Sequence, residues 1–242
     1  MTNSEIYNMK IAVCISGQMR AVESWETFKP YLLKQGRQSE VFLHTWHQTE
    51  TTRVPRLFDF VIGKPWSPLV SSNQEVLDRL CPTNYMFEEN ITQVVDQCPQ
   101  IPPDPITRHR VLSMWRSQYK ACELATRKQN SFDLMCRTRS DLVFETDPFE
   151  IFEGNPPPKN VVFVPEGSNG GIPECTPDVG LHDWFGVAEP STFVKFVSLY
   201  QNVCEYLKHN PTFFPEVMLK YHVDKMGLTV VRYPVQYYIK RV

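Results

Sequence analysis

Apolar and polar positions alternate along this chain in blocks of two distinct periods. Lys10–Ser16 (KIAVCIS) is a continuous apolar run closed by Gly17, which predicts a buried strand of the parallel type. From Val22 to Lys34 the spacing of Trp25, Phe28, Leu32 and Leu33 predicts an amphipathic helix. Glu40–Trp46 (EVFLHTW) reads as a second strand, Leu57–Ile62 as a candidate third, Asn73–Leu80 as a short helix and Asn84–Phe87 as a short extended piece. Beyond the proline-rich loop Cys98–Pro105, Leu112, Trp115, Tyr119 and Cys122 form the clearest helical stripe, with Arg116, Lys120 and Arg127 on an adjacent one. Phe132–Thr138 and Val161–Pro165 read as strands, and a Gly/Pro loop spans Pro165–Gly180. Asp183–Val187 reads as a short strand. Pro190 opens a helix carried by Phe193, Phe196, Val197, Tyr200 and Cys204, and Pro215 opens another over Phe214–Met226, stopped by Gly227. Leu228–Ile239 is a terminal strand rich in Val and Tyr.

Strand and helix alternate in the first 140 residues or so, and the remainder is more irregular. This predicts an α/β fold: a mainly parallel, Rossmann-like open sheet flanked by helices, with an irregular C-terminal half appended in a single domain, 1–242. Ligands of such sheets bind beyond the carboxyl ends of the strands. Attention therefore falls on Ser16–Arg20, His44–His47, Arg137–Asp141 and Gly180–Phe185.

Composition adds an inversion: 20 Pro against 10 Gly. Six of those glycines lie between Gly154 and Gly186, interleaved with prolines, which is a construction for a closing loop or simply an irregular surface loop. Net charge is −2, against a general nucleic-acid binder. The charge is uneven: Arg108–Arg139 carries eight bases and two acids, and Asp141–Glu189 carries ten acids and one base. The seven cysteines show no CxxC pair, which predicts a reducing compartment. The first ten residues lack an apolar signal core and no run is long enough for a membrane span, so a cytoplasmic location is expected.

Ser16-Gly17-Gln18-Met19-Arg20 supplies a tight turn and donors for a base, ribose or diphosphate. It is neither GxGxxG nor a Walker loop. In Arg137-Thr138-Arg139-Ser140-Asp141, the residues two apart share one side of a strand end. Arginine grips phosphate through a planar fork, and a carboxylate beside it holds a divalent cation or a ribose hydroxyl. An Arg139–Asp141 salt bridge is the plain alternative. Asp183, before Trp184-Phe185, is a candidate general base, or else a turn-capping acid. His44 and His47 fall on opposite sides of a strand, which argues against a shared metal, and His222 lies mid-helix.

Together, CISGQMR, VFLHTW, SMWRSQYKACEL with FDLMCRTRSDLVF, GLHDWFGVA, PEVMLKYHVDKMGLTV and Tyr238–Arg241 resemble glycosyltransferases of the GT-A fold. Such enzymes occur in surface-polysaccharide and lipopolysaccharide synthesis and in large DNA viruses. The likeness touches residues 11 to 241, and the stretch from Arg53 to Pro105 contributes nothing to it. It implies a GT-A-like fold, with a nucleotide-sugar half (1–141) and an acceptor half (142–242), and transfer of a sugar from a nucleotide-sugar donor to a hydroxyl of a glycan acceptor with inversion. Ser16, Gly17, Gln18, Arg20, Lys120, Arg137, Arg139 and Asp141 would bind the donor, and Asp183 would deprotonate the acceptor. Asp141 falls where the second Asp of the family's Asp-x-Asp lies, and Arg139 replaces the first. Either Mn²⁺ or Mg²⁺ binds, with Asp141 as first ligand and His222 as second, or arginine neutralises the leaving diphosphate. A non-catalytic sugar or nucleotide binder and a sugar-phosphate nucleotidyltransferase are the alternatives.

Overall fold

The structure is a computed structural model, and it describes residues 8–47, 71–89, 105–128, 131–166, 180–209 and 213–240. The strands are β1 (Met9–Ser16), β2 (Arg37–Trp46), β3 (Asn84–Glu88), β4 (Leu134–Thr138), β5 (Leu142–Phe144), β6 (Val161–Pro165), β7 (Gly186–Ala188), β8 (Thr229–Tyr233) and β9 (Tyr237–Ile239). The helices are α1 (Trp25–Leu32), α2 (Asn73–Leu80), α3 (Pro105–Arg127), α4 (Pro190–Val197), α5 (Leu199–His209) and α6 (Pro215–Lys225).

Seven strands make one sheet in the order β3-β2-β1-β4-β7-β6-β8, and β5 pairs with β9 apart from it. β3, β2, β1 and β4 are mutually parallel. β7 runs against both β4 and β6, while β6 and β8 are parallel. This is an α/β architecture with a mostly parallel sheet, as expected. The reversal at β7 has a consequence for function. It brings the segment leading into Gly186 to the edge where β1, β2 and β4 end, because Gly186 pairs with Arg137.

Period-two alternation along β1 divides the core between the two faces of the sheet. Ala12 and Cys14 face a cluster with Trp115 of α3, Phe193 and Phe196 of α4 and Met218 of α6. Ile11, Val13 and Ile15 face Trp25 and Phe28 of α1, Phe144 of β5, and Phe149. Helices thus cover both faces, and each fully buried large side chain contributes about 1.5–3 kcal/mol. Glu189 caps α4, accepting the Thr192 and Ser191 amides.

Several expectations shift. The first helix is shorter than Val22–Lys34: a 3₁₀ turn over Val22–Ser24 precedes it, and Leu33 is 70% exposed rather than core. The run from Pro190 to Cys204 breaks at Ser198 into α4 and α5. The strand at Asp183–Val187 begins only at Gly186 and is antiparallel. Leu228–Ile239 is two strands in two sheets, because Pro234 has no N–H with which to extend β8. Leu57–Ile62, Cys98–Pro105 up to residue 104, and the Gly/Pro loop at 167–179 lie outside the described residues, as do Cys98 and Cys175. Cys14, Cys81, Cys122 and Cys136 are free thiols, but Cys204 is disulfide-bonded, so the cysteines do not support a reducing compartment. Among the described residues no helix is long and apolar enough to cross a membrane.

Candidate functional site

The carboxyl ends of β1, β2 and β4 converge on a buried polar knot. Gly17 leaves β1 with a φ of 98°, a conformation that favours glycine, and its amide N–H donates to Ser117 Oγ on α3 at 2.8 Å. Its carbonyl accepts from Thr45 Oγ1 at 2.7 Å. Ser117 Oγ also lies 2.9 Å from His44 Nδ1 and 2.9 Å from the His44 carbonyl. His44 Nε2 faces the Glu88 carboxylate at 3.4 Å, and Arg116 holds that carboxylate with two 2.9 Å bonds. Burial pulls the His44 pKa down to about 4, against the pull of Glu88, so His44 is neutral near pH 7.

The turn beyond β1 is clamped to the turn beyond β4. Ser140 Oγ accepts the Arg20 amide at 3.1 Å and donates to the Arg20 carbonyl at 2.9 Å. The Arg20 guanidinium bonds Gln18 Oε1. Ser16 is buried at the end of β1. Ser140 thus fixes Arg20, at the end of the turn that Ser16, Gly17 and Gln18 begin, to the turn over residues 139–141.

Arg137 and Arg139 separate in role. Arg137 is 1% exposed. It donates to Gln118 Oε1 at 2.8 Å and to the His182 carbonyl at 3.1 Å, and it lies 4.4 Å over the Phe196 ring. Burial lowers its pKa to about 10, with the Asp183 charge acting in the other direction. It stiffens the floor of the site rather than presenting a fork to a ligand. Arg139 lies beyond the end of β4, where its Nε and Nη2 grip Asp141 at 2.8 and 2.7 Å. This is the Arg139–Asp141 salt bridge that the sequence offers as the plain alternative.

The cationic stripe of α3 is paired off in the same manner. Arg116 holds Glu88, and Lys120 holds Glu123 at 2.8 Å. Lys120 therefore reaches an acid on its own helix.

Asp183 arrives at the same edge on the segment before β7 and is 5% exposed. Gln118 Nε2 lies 3.5 Å from its backbone carbonyl, and no donor reaches its carboxylate among the described residues. Arg137, Arg139 and Tyr237 all feel its charge. Burial first, and then Asp183, raise the Tyr237 phenol to about 12. A residue not singled out from the sequence completes this group. Glu216, in the first turn of α6, is 7% exposed, and its carbonyl accepts the Leu181 amide at 3.0 Å. Burial, and secondly the Asp183 charge, push the Glu216 carboxyl up to about 7. Period and composition carried no signal for this pairing, since residues 183 and 216 meet only through the reversal at β7. Ser117 and Gln118 lie in the SMWRSQYKACEL segment, between positions of its apolar stripe.

His222 is a core histidine. It is fully buried; Nδ1 meets Tyr206 Oη at 2.9 Å and Nε2 meets the Lys195 carbonyl at 2.8 Å. With both its nitrogens engaged and Asp141 held by Arg139, these two residues do not fit a shared Mn²⁺ or Mg²⁺. Among the described residues no group of three His, Cys, Asp or Glu side chains is arranged to hold a metal. His47 faces Asn73 at 3.3 Å.

Compared with protein-family models the chain matches none, and no curated protein gives a significant match.

Proposed function

We propose that this protein is a glycosyltransferase that takes a sugar from a nucleotide-sugar donor and attaches it to a hydroxyl of a glycan acceptor. The observation that carries the reading is convergence. Four segments far apart in sequence, each part of the resemblance to GT-A glycosyltransferases, reach one edge of the sheet. They are the turn at Gly17, the His44 end of β2, the 139–141 turn and the Asp183 segment. Hydrogen bonds tie them together, directly between Thr45 and Gly17 and between Arg20 and Ser140, and otherwise through Ser117 of α3 and Arg137 of β4.

In this reading the Gly17–Arg20 turn receives the nucleoside. Arg139, a fork pre-oriented by Asp141, meets the diphosphate, and the acceptor hydroxyl lies against Asp183. The acceptor oxygen attacks the anomeric carbon while its proton passes to the Asp183 carboxylate. The bond from that carbon to the diphosphate oxygen breaks, and the nucleoside diphosphate leaves with the electron pair, so the configuration inverts. A buried carboxylate that no donor reaches among the described residues, and whose charge Arg137 and Arg139 feel, suits a base that must hold a proton only briefly. Glu216, protonated for much of the time near neutral pH, keeps a second negative charge away from Asp183.

The test is a panel of nucleotide sugars read by thermal shift and by donor hydrolysis, with and without Mn²⁺. One donor is expected to stabilise the protein and to be hydrolysed slowly. Asp183→Asn is expected to keep donor binding and lose turnover about 100-fold or more. Near-normal turnover in that variant removes Asp183 from the role, and no stabilisation by any nucleotide sugar removes the reading.

A further inference from the structure

A cavity of about 300 Å³ opens between α6 and β8, lined by Leu181, Lys220, Asp224, Leu228, Val230 and Arg232. Three relationships tie it to Asp183. Leu181, in its wall, is two residues before Asp183 and bonds the Glu216 carbonyl. Glu216, Lys220 and Asp224 follow at i, i+4 and i+8 on one face of α6, so the helix face that lines the cavity leads back to Glu216. Arg232 acts electrostatically on His182 and on Tyr237, which both also feel Asp183.

The charges in the cavity are unequal. Lys220 is committed to Asp224 by bonds of 2.7 and 2.6 Å. The Arg232 side chain makes no hydrogen bond or ion pair with any described residue, while its backbone pairs with Val164 of β6, and it lies half-buried on β8. A guanidinium with no carboxylate partner among the described residues, set among Leu181, Leu228 and Val230, is a fork that accepts an anion in a partly apolar enclosure. The volume is at the small end for ligand sites, the scale of one sugar unit rather than a chain.

We infer that this cavity is an acceptor subsite for an anionic sugar residue, whose carboxylate or phosphate pairs with Arg232 while an adjacent hydroxyl reaches Asp183. The inference rests on the transferase reading for the word acceptor, but the binding it requires does not. Lys220 is held by Asp224 in the same cavity wall, and in an Asp224→Asn variant it becomes a second cation for the same group.

Titration calorimetry without any donor tests it, using glucuronate, glucose 6-phosphate and uncharged glucose. At least one of the anions is expected to bind in the millimolar range or tighter, and glucose at least tenfold more weakly. Binding by the first alone assigns a carboxylate, and by the second alone a phosphate. Arg232→Gln is expected to weaken the bound anion about tenfold, and Asp224→Asn to tighten it about threefold. The Arg232→Lys variant, which keeps the charge, separates loss of the fork from loss of folding, with intermediate affinity expected. The inference is overturned if neither anion binds up to about 10 mM, if glucose binds equally well, or if the affinity is the same in Arg232→Gln. Anion binding without donor hydrolysis would leave the subsite standing and remove the transferase; hydrolysis without anion binding would do the reverse.

Discussion

The hydroxyl of Ser117, in the middle of α3, accepts the backbone N–H of Gly17 at 2.8 Å and thereby fixes the turn that leaves β1. The same oxygen sits 2.9 Å from His44 Nδ1, so one atom joins a helix and two strand ends. Ser117→Ala leaves the Gly17 amide and a histidine nitrogen buried without this partner. The expected cost is about 1–3 kcal/mol of stability, read as a lower urea midpoint at unchanged slope. Because the turn is released, nucleoside diphosphate affinity should fall more than affinity for an anionic sugar; equal losses in both would show that the turn does not serve the nucleotide.

Arg139 and Asp141 make the second separable unit. The carboxylate pre-orients the guanidinium, so Asp141→Asn is expected to weaken nucleoside diphosphate binding about tenfold, as removing one charged hydrogen-bonding partner does. Arg139→Lys should not rescue the wild-type affinity, since an ammonium cannot reproduce the paired contact. Direct titration of the diphosphate checks both; a lysine variant with wild-type affinity would show that charge alone suffices.

Gly186 lies where β7 meets β4, and a Cβ there would stand 2.8 Å from the Phe196 ring. That ring supports the Arg137 guanidinium at 4.4 Å. Gly186→Ala therefore pushes on the floor of the site without touching its charged groups. A loss of about 1–3 kcal/mol is expected from the overpacking, measured by denaturant unfolding. If stability is unchanged, the floor is more compliant than the packing implies.

Much of this was legible in the sequence, because apolar runs and helical stripes report burial locally. KIAVCIS, EVFLHTW and the Trp115 stripe each have one consistent environment, and each became the expected element. The misreadings share a different cause. Arg137 and Arg139 lie two apart and were expected to act together, but β4 ends at Thr138, so only Arg137 follows the strand's geometry. The cationic stripe of α3 gave no sign of Glu88, 28 residues before Arg116, as its neutralising partner. Glu216 was invisible for the same reason: its environment is made by a chain reversal, and no local pattern encodes it. Pairing partners, rather than elements, were what the one-dimensional pattern withheld.

His44 and Glu216 pull the pH dependence of stability in opposite directions. His44 has a folded pKa of about 4, below the ordinary value of 6.5. Between those values the unfolded chain binds more protons at this position. His44 therefore adds stability that is complete above about pH 6.5 and lost as pH falls toward 4. Buried His222, also near 4, acts in the same sense. Glu216 has a folded pKa of about 7 against 4.5, so the folded chain binds more protons between those values and stability declines as pH rises through them. The sum is a stability curve flatter between pH 4.5 and 6.5 than the histidines alone would give, with a fall from about pH 6.5 to 7. Glu216→Gln removes the opposing slope. Relative to wild type, this variant should gain stability steadily from about pH 5 to 7 and hold the gain above that. Asp183→Asn removes the charge that adds to the burial of Glu216, so the Glu216 slope should shift to lower pH and shrink, without vanishing. Melting temperatures of the three proteins across pH 4–8 check this. Identical curves for wild type and Glu216→Gln would mean that Glu216 titrates at its ordinary value and does not share a site with Asp183.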